Sequence, residues 1–335
     1  MKYWSATLHF YQPPGQERDI VWNVYTFCYL PLLRMLDSRS GYGITLNISE
    51  CLTDQLRIID SSEFFELIDK LVANGRVELL SSAKYHPVLP LFSPQVLERQ
   101  TKGNIQTCGF FPPELAVDAK TLDLLDYQFL LVDETALDIK TSVAKYKNKR
   151  LLVNSRQICD LFRSYPKNLE ARMVSDLLKD GPNTSINDAE LFGHHYTERL
   201  QVLADLIDTP DVKMLTASQY LDKFVDTAPV VTKINESTWQ NCRAYALWNK
   251  NKLQKEYLEL LKQNPTADKA HSSCYLYWLS NWPWWHPGLV QKGVENMIPS
   301  VVTQKFLENM WQYHLSGQVE TNYQKFNSSG QKYLN

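Results

Sequence analysis

Phe64-Phe65-Glu66-Leu67-Ile68-Asp69-Lys70-Leu71-Val72-Ala73-Asn74-Gly75-Arg76-Val77-Glu78-Leu79-Leu80-Ser81 holds a complete helix-to-strand transition. Phe64, Leu67, Ile68 and Leu71 recur at helical spacing and give Phe64–Asn74 one apolar face. Gly75 stands where a helix needs a residue that adopts positive φ to stop. The next residues, Val77–Ser81, read as a short buried strand. It ends in a polar, aromatic loop, Lys84-Tyr85-His86-Pro87.

The same unit repeats in both directions. Further strands are expected at Tyr3–His9, Tyr42–Ile48, Cys108–Phe111, Phe129–Val132, Leu151–Val153, Thr184–Asn187 and Val212–Thr216, with helical segments such as Asp118–Asp126 between them. Strand and helix alternating this often make an α/β protein with a parallel sheet, closed or doubly wound. Beyond about residue 235 the character changes. Leu253–Gln263, Ala270–Ser280 and Val290–Trp311, the last interrupted at Pro299, read as helices. The expected organisation is a barrel-type unit over 1–230, a helical subdomain over 235–326 packed on it, and a loose tail over 327–335.

In parallel barrels chemistry gathers beyond the C-terminal ends of strands. Here those ends carry His9, Tyr11 and Gln12, then Asn47 and Glu50, then Ser81, Lys84, Tyr85 and His86. Glu114 follows the fourth strand and Asp133 and Glu134 the fifth. Asp188, Glu190, His194 and His195 follow the seventh. A purely structural barrel has no need of this concentration, so the pattern points to an enzyme. Two runs carry the chemistry. In Phe110-Phe111-Pro112-Pro113-Glu114 a carboxylate sits in an aromatic corner stiffened by two prolines. It suits a nucleophile or base, or a charge at the start of the next helix. In Asn187-Asp188-Ala189-Glu190-Leu191-Phe192-Gly193-His194-His195 two carboxylates share a strand face. Such surroundings can raise the pKa of an Asp enough for it to act as an acid. The same residue types also serve metals, but the H-E-x-x-H spacing is absent.

The bulk numbers narrow the class. The chain has 335 residues, 44% of them hydrophobic, with a net charge of -2 and a pI near 6.4. That balance gives no basic face for nucleic acid. No apolar run approaches the roughly 18 residues of a membrane span, and the N-terminus has no signal-peptide core. Cys28, Cys51, Cys108, Cys159, Cys242 and Cys274 form no CxxC pair and no zinc spacing. They read as reduced thiols of a cytoplasmic protein. GxGxxG, GxxxxGK[ST] and GxSxG are all missing. This excludes the common dinucleotide, P-loop and serine-hydrolase readings. No cofactor and no metal is expected. The sequence does not fix an oligomeric state. Aromatic residues are abundant, with 9 Trp and 18 Tyr, and rings of this kind stack on sugar faces or fill cores. Trp278, Trp282, Trp284 and Trp285 are candidates to roof a groove.

Taken in order, these runs resemble glycoside hydrolase family 57. His9, Gln12 and Pro13 match its His-x-His-Gln-Pro run, with Tyr11 in place of the second His. Gly75, Val77 and Glu78 match its Gly-x-Val-Glu strand. Phe111-Pro112-Pro113-Glu114 matches its Trp-x-Pro-Glu run, with Phe111 in place of Trp. Asp188, Glu190, Phe192, Gly193 and His194 match its Asp-x-Glu-x-Phe-Gly-His run, and Ser237-Thr238-Trp239 answers its Ser-x-Trp region. The resemblance implies an incomplete parallel (β/α)7 barrel and retaining chemistry on α-linked glucans or oligosaccharides. Glu114 is then the nucleophile and Asp188 the acid/base. His9, Tyr11, Gln12, Lys84, His86, Phe111, Glu190, His194 and Trp239 are the implied substrate-binding set. Two other readings remain: a non-catalytic carbohydrate-binding protein of the same fold, and a metal-dependent polysaccharide deacetylase. The usual Asp-Asp pair of the latter is missing after the first strand.

Overall fold

The computed structural model describes residues 1–102, 107–164, 168–240, 244–280 and 285–316. Trp282, Trp284, Cys242 and the expected tail lie outside them.

The first strand sets the architecture. β1 (Lys2–Phe10) turns Trp4, Ala6, Leu8 and Phe10 outward into the cluster that it shares with the flanking helices. Its opposite face carries Ser5, Thr7 and His9, which are also buried. A strand covered on both faces belongs to a parallel sheet wrapped by helices. Here the outward face is apolar and the inward face is mostly polar.

The remaining strands are β2 (Ile44–Ile48), β3 (Val77–Ser82), β4 (Gly109–Phe111), β5 (Phe129–Asp133), β6 (Val143–Tyr146), β7 (Lys149–Asn154), β8 (Gly181–Asp188), β9 (Val212–Met214) and β10 (Val230–Val231). Seven of them run in the order β7-β5-β4-β3-β2-β1-β8, and each neighbouring pair in that row is parallel. This is the incomplete (β/α)7 barrel. All eight expected strands are present, but β9 is not a full stave. It pairs only with Lys2–Trp4, on the lower part of β1. The sequence reading missed β6 and β10. β6 folds back antiparallel on β7 through a turn where Lys147 takes a φ of 54°. The run Lys145-Tyr146-Lys147-Asn148-Lys149-Arg150 is too polar and too short in period to announce a hairpin.

Between β7 and β8, among the described residues, no backbone ladder closes the ring. Side chains fill the seam. The Thr184 hydroxyl donates to the Val153 carbonyl. Asn154 Oδ1 accepts the Ile186 N–H at 2.8 Å, and Cys159 Sγ lies 3.2 Å from the Ile186 carbonyl. The buried, unpaired strand edges there are thereby satisfied without an eighth strand.

Local signals work as the sequence implies. The helix Ser62–Ala73 buries Phe64, Ile68 and Leu71. Gly75 has a φ of +67°, and the Gly75 and Arg76 amides return to the Val72 and Leu71 carbonyls. The chain therefore reverses into β3 within two residues.

The C-terminal helices Lys252–Gln263, Ser273–Trp278, Pro287–Met297 and Val301–Leu315 surround a second core around Trp248, Tyr257, Tyr275, Val290 and Met310. This helical region is fastened to the barrel mouth. Ser273 N donates to His86 O, Tyr275 Oη donates to Pro14 O at 3.1 Å, and the Tyr11 and Ser272 hydroxyls are 2.8 Å apart.

Candidate active site

The site begins with register. His9 lies beside Asn47 of β2 and beside Asp188 of β8, so three strands deliver one polar row to the barrel mouth. His9 also stands in a column of rings. Phe111 stacks below it at 4.4 Å, His86 stacks at 4.8 Å, and Tyr11 follows at 4.1 Å from His86.

The hydrogen bonds fix the state of both histidines. Asn47 Nδ2 donates to Leu80 O, so its Oδ1 faces His9 Nδ1, 2.7 Å away, and accepts from it. Ser273 Oγ donates its only proton to Glu114 Oε1 at 3.1 Å and must accept from His86 Nδ1 at 3.0 Å. Each ring therefore keeps its proton on Nδ1 and leaves Nε2 as a bare acceptor. Both Nε2 atoms are buried without a partner among the described residues. Burial holds both rings below the usual histidine pKa. For His9, the Asp188 charge and the Asn47 hydrogen bond work against this. For His86, proximity to His9 deepens it.

Glu114 is forced into place. Its backbone has φ 59° and ψ 14°, a left-handed conformation that costs a non-glycine residue on the order of 1 kcal/mol or more. The two preceding prolines and a hydrogen bond from Trp239 N to its own carbonyl maintain it. The carboxylate accepts from Trp239 Nε1 at 2.8 Å as well as from Ser273. Its pKa is raised. Burial is the main cause, Trp239 opposes it, and the Asp188 charge adds to it. Asp188 ends β8 and shares the cavity with Glu114. Among the described residues, no donor reaches its carboxylate.

Glu190 lies in the short turn after β8, 8% exposed. It accepts from the Tyr29 hydroxyl and from Gln12 Nε2 at 3.2 Å. Burial, reinforced by Asp188, pushes its pKa up to about 8. Gly193, at φ +140°, permits the next turn. A Cβ there would meet Phe27 O at 2.7 Å. His194 and His195 then stand exposed at the rim.

A cavity of about 390 Å³ joins these groups. His9, Tyr11, Gln12, His86, Glu114, Asp188, Glu190, His194 and Trp239 all line it. Two residues of the expected binding set do not. Phe111 is fully buried beneath His9. Lys84 is not part of the cavity lining. Its backbone is tied to Gln100 and Cys51, and its charge lies near Glu50. Glu78 is likewise distant, because it caps the helix Ala217–Phe224 through the Ser218 N–H and hydroxyl. Of the tryptophan group, Trp278 lines the cavity, whereas Trp285 packs in the helical core and donates to His314. Sequence reading missed Ser273 and Tyr277. Ser273 looks like any helix-start serine, and only the docking of the helical region reveals its second role. Among the described residues, no three His, Cys, Asp or Glu side chains converge as a metal site requires.

Residues 21–175 match the model of glycosyl hydrolase family 57. Over that stretch, just under half of its length, the chain is similar to that family. Alpha-amylase 1 of Dictyoglomus thermophilum is 26% identical over 100 residues, which is 30% of this chain and 14% of the amylase. Among solved structures, the family-57-type branching enzyme of Pyrococcus horikoshii aligns over 92% of this chain and 88% of its own, with a TM-score of 0.70 and 13% identity. The 4-alpha-glucanotransferase of Thermococcus litoralis aligns over 91% of this chain, with a TM-score of 0.63 and 16% identity. The aligned part is 54% of that enzyme, so this chain spans about half its length. At these identities the structural likeness establishes the family's fold.

Proposed function

We propose that the protein is a retaining glycoside hydrolase or transglycosylase acting on an α-linked glucan or oligosaccharide. One observation carries the reading. Two carboxylates share one cavity but are supported unequally. Glu114 is clamped by an indole N–H and a hydroxyl, as a fixed anion requires. Among the described residues, Asp188 meets no such donor, as suits a group that must hold and release a proton. In this mechanism Glu114 attacks the anomeric carbon, and Asp188 protonates the departing oxygen. Asp188 then takes a proton from water or from an acceptor hydroxyl as the glycosyl–Glu114 bond is broken. The bare Nε2 atoms of His9 and His86 accept sugar hydroxyls, as does Glu190 with its partner Gln12. Tyr11, Trp239 and rim residue His194 bound the sugar.

The α-glucan class is supported by the names of the relatives: an alpha-amylase, a branching enzyme and a 4-alpha-glucanotransferase. In this reading the barrel, residues 1–230, supplies the carboxylates, and the helical region from 235 supplies Ser273 and Tyr277. Among the described residues, five cysteines carry no disulfide, in keeping with a reducing, cytoplasmic setting. Among the described residues, no helix is long and apolar enough to cross a membrane.

The test is turnover of maltooligosaccharides, with Glu114→Gln and Asp188→Asn controls and the product anomer followed by NMR. Products of retained configuration that vanish in both variants support the proposal, and longer products beside shorter ones indicate transfer. Inverted products would discard the nucleophile. Silence across a broad glycan panel would move the reading to a sugar-binding protein.

A further inference from the structure

Asp133 ends β5 with its side chain fully buried, outside the cavity and untouched by the mechanism above. A buried carboxylate persists only where donors surround it. Here Thr135 donates twice, Arg156 Nε donates at 2.9 Å, and Asn154 Nδ2 donates at 3.2 Å. The last two partners lead in different directions. The Arg156 guanidinium continues to the carbonyls of Thr238, at 2.7 Å, and Gln240, at 3.1 Å. These are the residues on either side of Trp239, whose indole and backbone N–H both bond Glu114. Asn154 Oδ1 continues to the Ile186 N–H, two residues before Asp188 on the same strand.

We propose that Asp133 is a positioning residue that aligns both cavity carboxylates, reaching Glu114 through Arg156 and the strap Thr238–Gln240, and Asp188 through Asn154 and β8. The inference rests on the enzymatic reading for its kinetic consequences but not for the linkage itself. Arg156 suits the task because its planar fork reaches the carboxylate from Nε and the two carbonyls from a terminal nitrogen, a fixed spacing that the single nitrogen of a lysine ammonium does not have. The location also fits. Asp133 stands at the strand ends one strand from the open seam, where, among the described residues, β8 has a backbone ladder on one edge, to β1.

The experiment follows the Trp239 indole N–H by 15N NMR, with its signal assigned by loss in Trp239→Phe. In the wild type this signal is expected to titrate with Glu114 and to stop doing so in Glu114→Gln. In Arg156→Lys, and in the conservative Asp133→Asn, its titration midpoint should move upward and its hydrogen exchange should accelerate, while the other indole signals report an intact fold. kcat/KM should fall by roughly 10–100-fold, mostly in kcat, and Arg156→Lys should cost much less in a Trp239→Phe background than alone, the remainder acting through the Trp239 backbone N–H. Asn154→Ala should lose more activity on unactivated glycosides than on aryl glycosides with good leaving groups, because it disturbs the acid.

An unmoved Trp239 signal in Arg156→Lys, additive losses with Trp239→Phe, or an equal loss on both substrate types in Asn154→Ala would overturn the proposal. If the wild type turns over no glycan yet the signal responds to Arg156→Lys, the linkage holds and the enzymatic reading fails instead.

Discussion

The two sides of the cavity are built by different means. His9, Asn47 and Asp188 come from adjacent strands, and backbone register places them. Glu114 is held by parts from far along the chain: Trp239 on a strap 125 residues away and Ser273 at the start of a C-terminal helix 159 residues away. The strand-built side is rigid because a parallel ladder fixes each side chain by its neighbours. The assembled side depends on side-chain bonds, each worth about 1 kcal/mol, or about 1.5–3 kcal/mol where a charge takes part. The difference places the tunable part of the site around the proposed nucleophile.

That contrast breaks most sharply at the carboxylates. Glu114→Gln should lower kcat by a factor on the order of 10⁴ or more, as loss of a nucleophile does, and Asp188→Asn by about 10²–10⁴. Steady-state turnover of unactivated glycosides, whose departing oxygen needs a proton, measures both. On the assembled side, Trp239→Phe removes a charge-assisted donor and should cost about 10–100-fold in kcat/KM. It should also shift the acid limb of the pH profile upward. Glu114 already titrates above the ordinary carboxylate range because of its burial, and Trp239 opposes that rise. Ser273→Ala, which breaks the neutral relay from His86, should cost less, about 3–10-fold. A Ser273→Ala loss larger than that of Trp239→Phe would reverse the order in which the two donors matter.

Stability provides two smaller contrasts. A partner removed from the buried Asp133–Arg156 pair, as in Asp133→Ala, should destabilise the fold by about 3–5 kcal/mol, readable in denaturant titration. The Glu190 pKa is raised in the folded state, to about 8. Its contribution is therefore fully present below the unfolded value near 4.5 and is lost as pH rises through 8. Glu190→Gln keeps an acceptor for Tyr29 and should flatten that loss. Melting temperatures at pH 5 and pH 9 should then differ less in the variant than in the wild type. His86 acts with the opposite sign. Its lowered pKa contributes stability above about 6.5, lost on acidification.

Much of this was legible in the residue order because strands and their polar ends announce themselves. The transition at Gly75, the prolines before Glu114 and the run from Asp188 to His194 all encode local geometry. Lys84 was misplaced because the register after β3 decides which side chains enter, and Ala83-Lys84-Tyr85 carries no sign of it. Glu78 was read as part of a family run, but its carboxylate satisfies a helix start at Ser218 instead. Ser273 and Arg156 could not be found at all, since their roles come from contacts more than 80 residues away. Hydrophobic period carries no information at that range.

The first strand has one more consequence, for synthesis. β1 joins β2 along its upper part, but its lower part and its other edge wait for β9 and β8. At ~5–20 residues per second, roughly 10–40 s separate the emergence of β1 from that of Met214. During that interval the ribosome holds out a strand whose outward face is Trp4, Ala6, Leu8 and Phe10 and whose second edge is still without its partners β8 and β9. The first strand made is therefore the last of the parallel row to be fully paired.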